Sequence, residues 1–324
     1  MTNFHIKVII EKWQPMHRLR VLVPVSFSPQ SDMALKLARL MASQFNVMIT
    51  CLYVIEKPGF ITGMVMSGEM EKKIRREAEV QLSTRVNKII PDSDKVSFEL
   101  IISSGKTYRK ILEKASELNV NMIIMGKSDS TDLKKQFLGS NATRVIAKSP
   151  IPVLTVHEVK ATANKYIVLP LDLTTAVSVK IAKALEIAEL LGARMTVCTF
   201  LGHSETRFKQ AFQERLDLIE KIFAENNIQC KTQVIETENV ISGEIIRFAK
   251  SVKADSIFMM IREESDLTGM FIGSTAYEVI RKSDIPVISV TPNIQTNLYT
   301  YKALSGLVKN PLVMKDAEDS LIHN

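Results

Sequence analysis

Short apolar runs alternate along the chain with longer segments whose apolar residues recur at helical spacing. The run from Val21 (VLVPVSFS) and the run from Ile167 (IVLPLDLT) are each broken by a proline and ended by polar turn residues, a pattern typical of buried parallel strands. Each run is followed by a segment with one apolar helical face, formed by Ala34, Leu37, Ala38 and Met41, and by Ile181, Ala184, Leu185, Ala188 and Leu191. This alternation predicts an α/β fold in which helices cover both faces of a parallel sheet.

The chain contains two copies of one unit. Residues 139–156 (GSNATRVIAKSPIPVLTV) and 273–290 (GSTAYEVIRKSDIPVISV) are identical at more than half of the eighteen aligned positions, at a constant offset of 134 residues. In both copies an amphipathic helix leads to Ile-Pro-Val and a predicted strand. These last strands, at residues 152–156 and 286–290, are apolar edge strands that need cover. We therefore expect the two copies to meet through them, as an intramolecular pseudo-dimer.

The remaining predicted elements have the same order in both copies. The first copy has a long charged helix, a strand, a helix and a strand, near residues 69–90, 96–102, 108–118 and 121–125. The second copy has a helix near residues 208–225, a strand near 229–235, a helix after Gly243 and a strand at 256–260. The predicted divisions are an N-terminal extension, two domains and a C-terminal tail, at residues 1–17, 18–160, 161–293 and 294–324.

Composition and charge narrow the class of protein. With 46% hydrophobic and 24% charged residues, the chain has ordinary globular usage. The net charge of +7 permits an acidic partner, but the basic residues are spread out, and the clusters at 72–76 and 134–135 are interpreted as solvated helix faces. Nucleic-acid binding is therefore not expected. Apolar runs of membrane-span length and the apolar core of a signal peptide are missing from the sequence, which predicts a cytoplasmic protein.

Cysteines and histidines give no candidate catalytic or metal site. The three cysteines form no CxxC pair, and Cys51 and Cys198 occupy corresponding second strands, so both are interpreted as small core residues. His203, near Cys198, is interpreted as a loop histidine. The prediction is that the chain is not an enzyme and holds no metal.

These features together resemble the universal stress protein family, over residues 18–157 and 165–292. The resemblance implies two tandem flavodoxin-like domains, each a five-stranded parallel sheet with helices on both faces. ATP-binding members of this family carry Gly-x-x-Gly, nine residues and then Gly-Ser or Gly-Thr after the fourth strand, and an aspartate after the first strand on the adenine side. An open α/β sheet independently favours a ligand there, because the loops after its first and fourth strands meet at the switch point.

The first copy keeps part of this pattern. Gly126 stands at the first glycine position, and Gly139 and Ser140 form the end of the signature. The second glycine is replaced by Asp129 and the adenine-side aspartate by Ser26. With Lys127 nearby and Asn141 beside Ser140, these residues form the predicted anion or nucleotide pocket, which we expect to be the better of the two.

The second copy keeps a different part. Asp172 stands at the adenine-side position, and Gly273, Ser274 and Thr275 begin the last helix. The early glycines are replaced by Met260 and Glu263. Glu263, like Asp129, places a carboxylate where phosphates would lie, so we expect any adenine nucleotide to bind weakly.

Alternatives remain open for each motif. Gly139-Ser140 and Gly273-Ser274 have a second interpretation as simple helix starts, and Asp172 as a turn residue. Gly126-Lys127-Ser128 is similar to the end of a P-loop, but the earlier glycine of that motif is Asn121, so that interpretation is rejected. The tail at 294–324 is either a short amphipathic helix for partner binding or packing, or a disordered end.

The leading hypothesis is a universal-stress-type regulatory or stress-response protein that acts by binding, with degenerate adenine-nucleotide pockets. The alternatives are an ATP or AMP sensor or weak ATPase, and a scaffold that docks on a transporter or kinase. Expected partners are an adenine nucleotide such as ATP, an unidentified protein and a second copy of the chain.

Overall fold

A computed structural model describes residues 18–56, 68–127, 138–159, 165–175, 177–261 and 272–292. The predicted N-terminal extension and C-terminal tail lie outside these ranges, as do Asp129, Glu263 and the basic pair at 134–135. In the described ranges, no helix combines the length and apolar character that crossing a bilayer requires.

The first half begins its fold with an apolar strand and a well-capped helix. Its strands are β1 (Leu19–Pro24), β2 (Val47–Ile55), β3 (Ser97–Ser104), β4 (Met122–Gly126) and β5 (Val153–Val156). Its helices are α1 (Pro29–Ala42), α2 (Gly68–Ile89), α3 (Thr107–Glu117) and α4 (Ser140–Lys148), with a 3-10 turn at Asp92–Asp94. The Ser28 hydroxyl accepts a hydrogen bond from the Ser31 N–H, and Pro29 is the first helical residue, so sequence and geometry agree on where α1 starts.

The second half repeats this order. Its strands are β6 (Tyr166–Pro170), β7 (Arg194–Leu201), β8 (Cys230–Glu236), β9 (Ser256–Met260) and β10 (Val287–Val290). Its helices are α5 (Ser178–Leu191), α6 (Lys209–Glu225), α7 (Ile241–Ser251) and α8 (Ser274–Lys282), with a 3-10 segment at His203–Phe208. The prediction of two tandem α/β domains with parallel sheets is confirmed.

All ten described strands form one sheet, in the order β3-β2-β1-β4-β5-β10-β9-β6-β7-β8. Every pair within a half is parallel. β5 and β10 pair antiparallel, with Ile288 opposite Leu154, and both strands are fully buried. The expectation that the halves meet through their last strands is confirmed, because the two edges cover each other.

Each face of the sheet carries its own apolar layer, and both layers run across the two halves. On one face α1, α2, α5 and α6 pack against residues such as Val21 and Ile288. On the other, α3, α4, α7 and α8 pack against residues such as Leu22 and Val287. Because strands covered on both faces must be apolar throughout, this layering explains the unbroken apolar runs of the sequence.

Two interpretations of polar residues from the sequence also hold. Lys72, Lys73, Arg75 and Arg76 are exposed on α2. Cys51 and Cys198 are buried in β2 and β7, and burial raises the pKa of both thiols, that of Cys51 to about 12. Thiols so far from ionisation are core residues rather than nucleophiles.

Candidate functional site

A cavity of about 460 Å³ opens at the carboxyl ends of β6 and β9. These neighbouring strands are the switch point of the second half, because the chain continues from β6 to β7 on one side while β9 lies on the other. The volume lies within the range of small-molecule sites. Its walls come from the ends of both strands, from the loop after β6 and from α5, α6, α7 and α8.

The loop after β6 is held in a turn by Asp172. Its Oδ1 accepts hydrogen bonds from the Thr174 N–H at 2.9 Å and from the Thr174 hydroxyl at 2.6 Å. The Arg215 guanidinium of α6 donates to the carbonyl of Leu173, and burial lowers its pKa while the charge of Asp172 opposes that shift. Asp172 is therefore a turn residue and also an exposed carboxylate on the cavity wall.

The start of α8 forms the opposite polar wall. Gly273 precedes the helix and no side chain caps it, while Ser274 and Thr275 are exposed and line the cavity. Helix geometry leaves the first backbone N–H groups without intrahelical acceptors and gives this end a partial positive charge. The arrangement suits an oxygen-rich or anionic group of a ligand.

The rest of the lining is mainly apolar, with one further cation. Lys180, half-buried on α5, lines the cavity with Phe200, Phe212 and Phe258. The phenylalanines belong to β7, α6 and β9, so no local motif joins them, and sequence reasoning missed all four residues. The usable signal was weak: Phe200 lies near the end of β7 and Phe212 near the start of α6, but Phe258 lies in the middle of β9. Chemically, the cavity can hold a flat apolar group with a polar or anionic group near α8.

The structure thus brings together the four site residues predicted in the second half, Asp172, Gly273, Ser274 and Thr275, around one cavity. In the first half, Ser26 is exposed and its hydroxyl lies 3.0 Å from that of Ser28. Phe27, the next residue, has φ of 59° and packs on Tyr53 with ring centroids 4.6 Å apart. A bulky residue in this left-handed conformation is strained, so packing holds this loop.

Gly139, Ser140 and Asn141 begin α4 as predicted, and again no side chain caps the helix. Ser140 is exposed and Asn141 half-buried. Asp129, predicted to lie beside them, is outside the described residues.

Gly126 has a packing role that the sequence did not reveal. A Cβ on this residue would lie 1.8 Å from the carbonyl oxygen of Gln30, in the first turn of α1. The absence of a side chain therefore lets α1 approach the end of β4, independently of any phosphate. Met260 takes the corresponding place at the end of β9 and lines the cavity. Met260 has a side chain at this place, so the close approach seen at Gly126 is not repeated with the same geometry in the second half.

Lys127 requires a correction. Sequence analysis assigned its ammonium to anion binding in the first half, but Nζ donates to the carbonyls of Ile280 at 3.1 Å and Arg281 at 3.2 Å and to that of Ser283. These acceptors are at the C-terminal end of α8, in the other half. The expected attraction of Lys127 for a ligand of the first half is therefore not supported.

The described cavity belongs to the second half. We expected the first half to hold the better pocket; among the described residues, a cavity at a switch point is found in the second half, where the predicted residues converge. In the first half, α1 approaches the strand end and Lys127 is engaged elsewhere. The ranking of the two halves therefore stays a prediction.

Comparison with known proteins agrees with this architecture. The family model described as universal stress protein family matches residues 17–157 and again residues 164–291. Two universal stress proteins of Methanocaldococcus jannaschii are similar in sequence. One is 28% identical over 44% of the chain and 83% of its own length, and the other 27% identical over 42% of the chain and 93% of its own.

A solved structure covers both halves. The crystal structure of a universal stress protein from Archaeoglobus fulgidus matches 85% of this chain and 98% of its own, with a TM-score of 0.66 and 20% identity. At that identity the likeness concerns the fold.

Proposed function

Because the chain belongs to the universal stress protein family, we propose that it is a regulatory stress-response protein that binds an adenine nucleotide in the cavity of its second half. The observation that carries the proposal is the convergence of Asp172, Ser274 and Thr275 on one cavity with an apolar floor. Asp172 and Ser274 stand at positions of the family pattern, on two loops that meet at the switch point of the sheet.

The apolar and polar walls of the cavity suit different parts of the nucleotide. We propose that the adenine ring lies against the apolar part of the lining, where burial of its faces is favourable. The ribose hydroxyls are placed near the carboxylate of Asp172, and the phosphate near the first N–H groups of α8 and the hydroxyl of Ser274. Lys180 adds a positive charge from α5.

The polar groups on the cavity wall, among them Asp172, Ser274 and Lys180, are suited to binding a ligand. Oδ1 of Asp172 accepts two hydrogen bonds within its turn, which hold the carboxylate in place on the cavity wall. We therefore propose action through binding, with the occupied and empty states read by a partner protein.

The test is calorimetric titration of the whole chain with AMP and ATP, in the unaltered protein and in Ser274→Ala, Asp172→Ala and Ser140→Ala. Ser140 corresponds to Ser274 in the first half, so Ser140→Ala is the matched control. We expect AMP to bind, Ser274→Ala and Asp172→Ala to weaken it about ten-fold each through a lost hydrogen bond, and Ser140→Ala to leave it unchanged. Loss of binding in Ser140→Ala alone would assign the site to the first half, and no binding of either nucleotide would refute the proposal.

A further inference from the structure

The side chain of Lys127, in the first half, reaches helix α8 of the second half. Lys127 follows β4 of the first half, is 7% exposed, and donates to the carbonyls of Ile280, Arg281 and Ser283. The last carbonyls of a helix have no intrahelical donors and carry partial negative charge, so a cation there stabilises the helix end. The C-terminal end of α8 is thus held by a residue of the other half.

The equivalent contact in the opposite direction is weaker. The carbonyl of Ser149, which corresponds to Ser283, accepts a hydrogen bond at 2.8 Å from the hydroxyl of Thr291. Ile261 corresponds to Lys127, is buried and has no donor on its side chain. The two halves therefore hold each other's last helices unequally: α8 by a cation and α4 by a neutral hydroxyl.

Helix α8 joins this contact to the cavity. It has nine residues, so its two ends are only about 13 Å apart. Ser274 at its start lines the cavity, and Ile280 and Arg281 near its end accept from Lys127. We propose that Lys127 of the first half is a positioning residue for the cavity of the second half, acting through α8. The identity of the ligand rests on the proposed function, whereas the contact between Lys127 and α8 is given by the structure.

Charged groups around Lys127 make the contact sensitive to pH near neutrality. Burial lowers its pKa, Asp284 opposes this shift and Arg281 adds to it, with a net pKa of about 8. Asp284 is itself paired with Lys250 at 2.7 Å and lies near His157, which follows β5. As the ammonium loses its proton it loses one donor and its charge, so its hold on α8 weakens.

The experiment compares Lys127→Met with Thr291→Val in the whole chain. Lys127→Met keeps the apolar stem but removes the cation on α8, and Thr291→Val removes the matching contact on α4. Two quantities are measured: AMP affinity at several pH values by calorimetry, and amide hydrogen exchange of α8 and α4. We expect Lys127→Met to weaken AMP binding about five-fold and to speed amide exchange in α8. We expect Thr291→Val to change neither AMP affinity nor exchange in α8. The affinity of the unaltered chain falls as pH rises through about 8, and Lys127→Met removes this dependence.

The outcomes separate this proposal from the proposed function. If the unaltered chain does not bind AMP, the proposed function fails, and α8 exchange decides the positioning role: faster exchange in Lys127→Met alone supports it. Equal exchange and affinity in the two variants would overturn it, as would a pH dependence that persists in Lys127→Met. Loosening of both helices by either variant would show general weakening between the halves and would also overturn it.

Discussion

At the end of β4, one missing Cβ decides how closely α1 approaches the sheet. Because a Cβ on Gly126 would overlap the Gln30 carbonyl at 1.8 Å, Gly126→Ala must shift α1 or the strand. We expect the substitution to lower the free energy of unfolding by about 2 to 3 kcal/mol, the usual cost of overpacking. Chemical denaturation of the two proteins measures the difference.

Gly139→Ala is the control for this prediction. Gly139 precedes α4, has φ of −50° and would have no atom within 4 Å of an added Cβ. We expect its effect to stay within about 0.5 kcal/mol, in line with other unstrained surface changes. Equal losses in the two variants would show that the close approach of α1 is not the cause.

Residues such as Gly126 and Lys127 show where sequence reasoning stops. A glycine after a strand has several interpretations, and the one that applies here depends on Gln30, which lies 96 positions earlier in the chain. The acceptors of Lys127 are 153 to 156 residues away. Both roles arise from tertiary packing, which leaves no local pattern. Asp172, by contrast, was predictable as a turn residue because its partner Thr174 is two residues away.

At the level of the element, the C-terminal end of α8 gives the protein a pH dependence of stability. The pKa of Lys127 falls from 10.5 to about 8 on folding. Between these values the unfolded chain holds more protons than the folded one, so the free energy of unfolding rises with pH. The cost of burying the charged ammonium is present in full below about pH 8 and is removed as pH rises to about 10.5, which raises the free energy of unfolding by about 3 kcal/mol.

The measurement is the free energy of unfolding of the unaltered chain and of Lys127→Met as a function of pH. The difference between them isolates this residue from other titrating groups. We expect that difference to shift in favour of the unaltered chain from about pH 8 to about pH 10. A difference that is constant over this interval contradicts the prediction.

The elements themselves were largely predictable. The strand at 256–260 was predicted at its observed bounds, and most other elements lie within a few residues of their predictions, because apolar periodicity and turn residues act locally. The cavity was not predictable to the same degree. Its floor is assembled from β7, α6 and β9, which are distant from one another in the sequence.

For the whole molecule, the antiparallel pair of β5 and β10 is the junction on which the architecture depends. All four residues of β5 are buried, and this strand becomes an exposed apolar edge when the second half is removed. We therefore expect a fragment of residues 18–159 to form dimers through β5, since a twofold copy restores the same antiparallel pairing.

Analytical ultracentrifugation of that fragment measures its oligomeric state. In a second fragment, Thr155→Pro removes a backbone donor and the hydroxyl that reaches the Val287 carbonyl at 3.3 Å, so this strand pairs poorly. We expect the first fragment to sediment as a dimer and the second as a monomer. A monomeric first fragment would show that the edge is covered in another way.

The covalent link between the halves also frees this junction from mass action. Two separate chains that meet through an edge come apart on dilution, whereas two halves of one chain face each other at a fixed and high effective concentration. Their stoichiometry is therefore always one to one, at any level of expression. One half can therefore lack a residue that the other half supplies. The first half has Lys127 and the second has Ile261 at the corresponding position, and in one chain the two are always paired with each other.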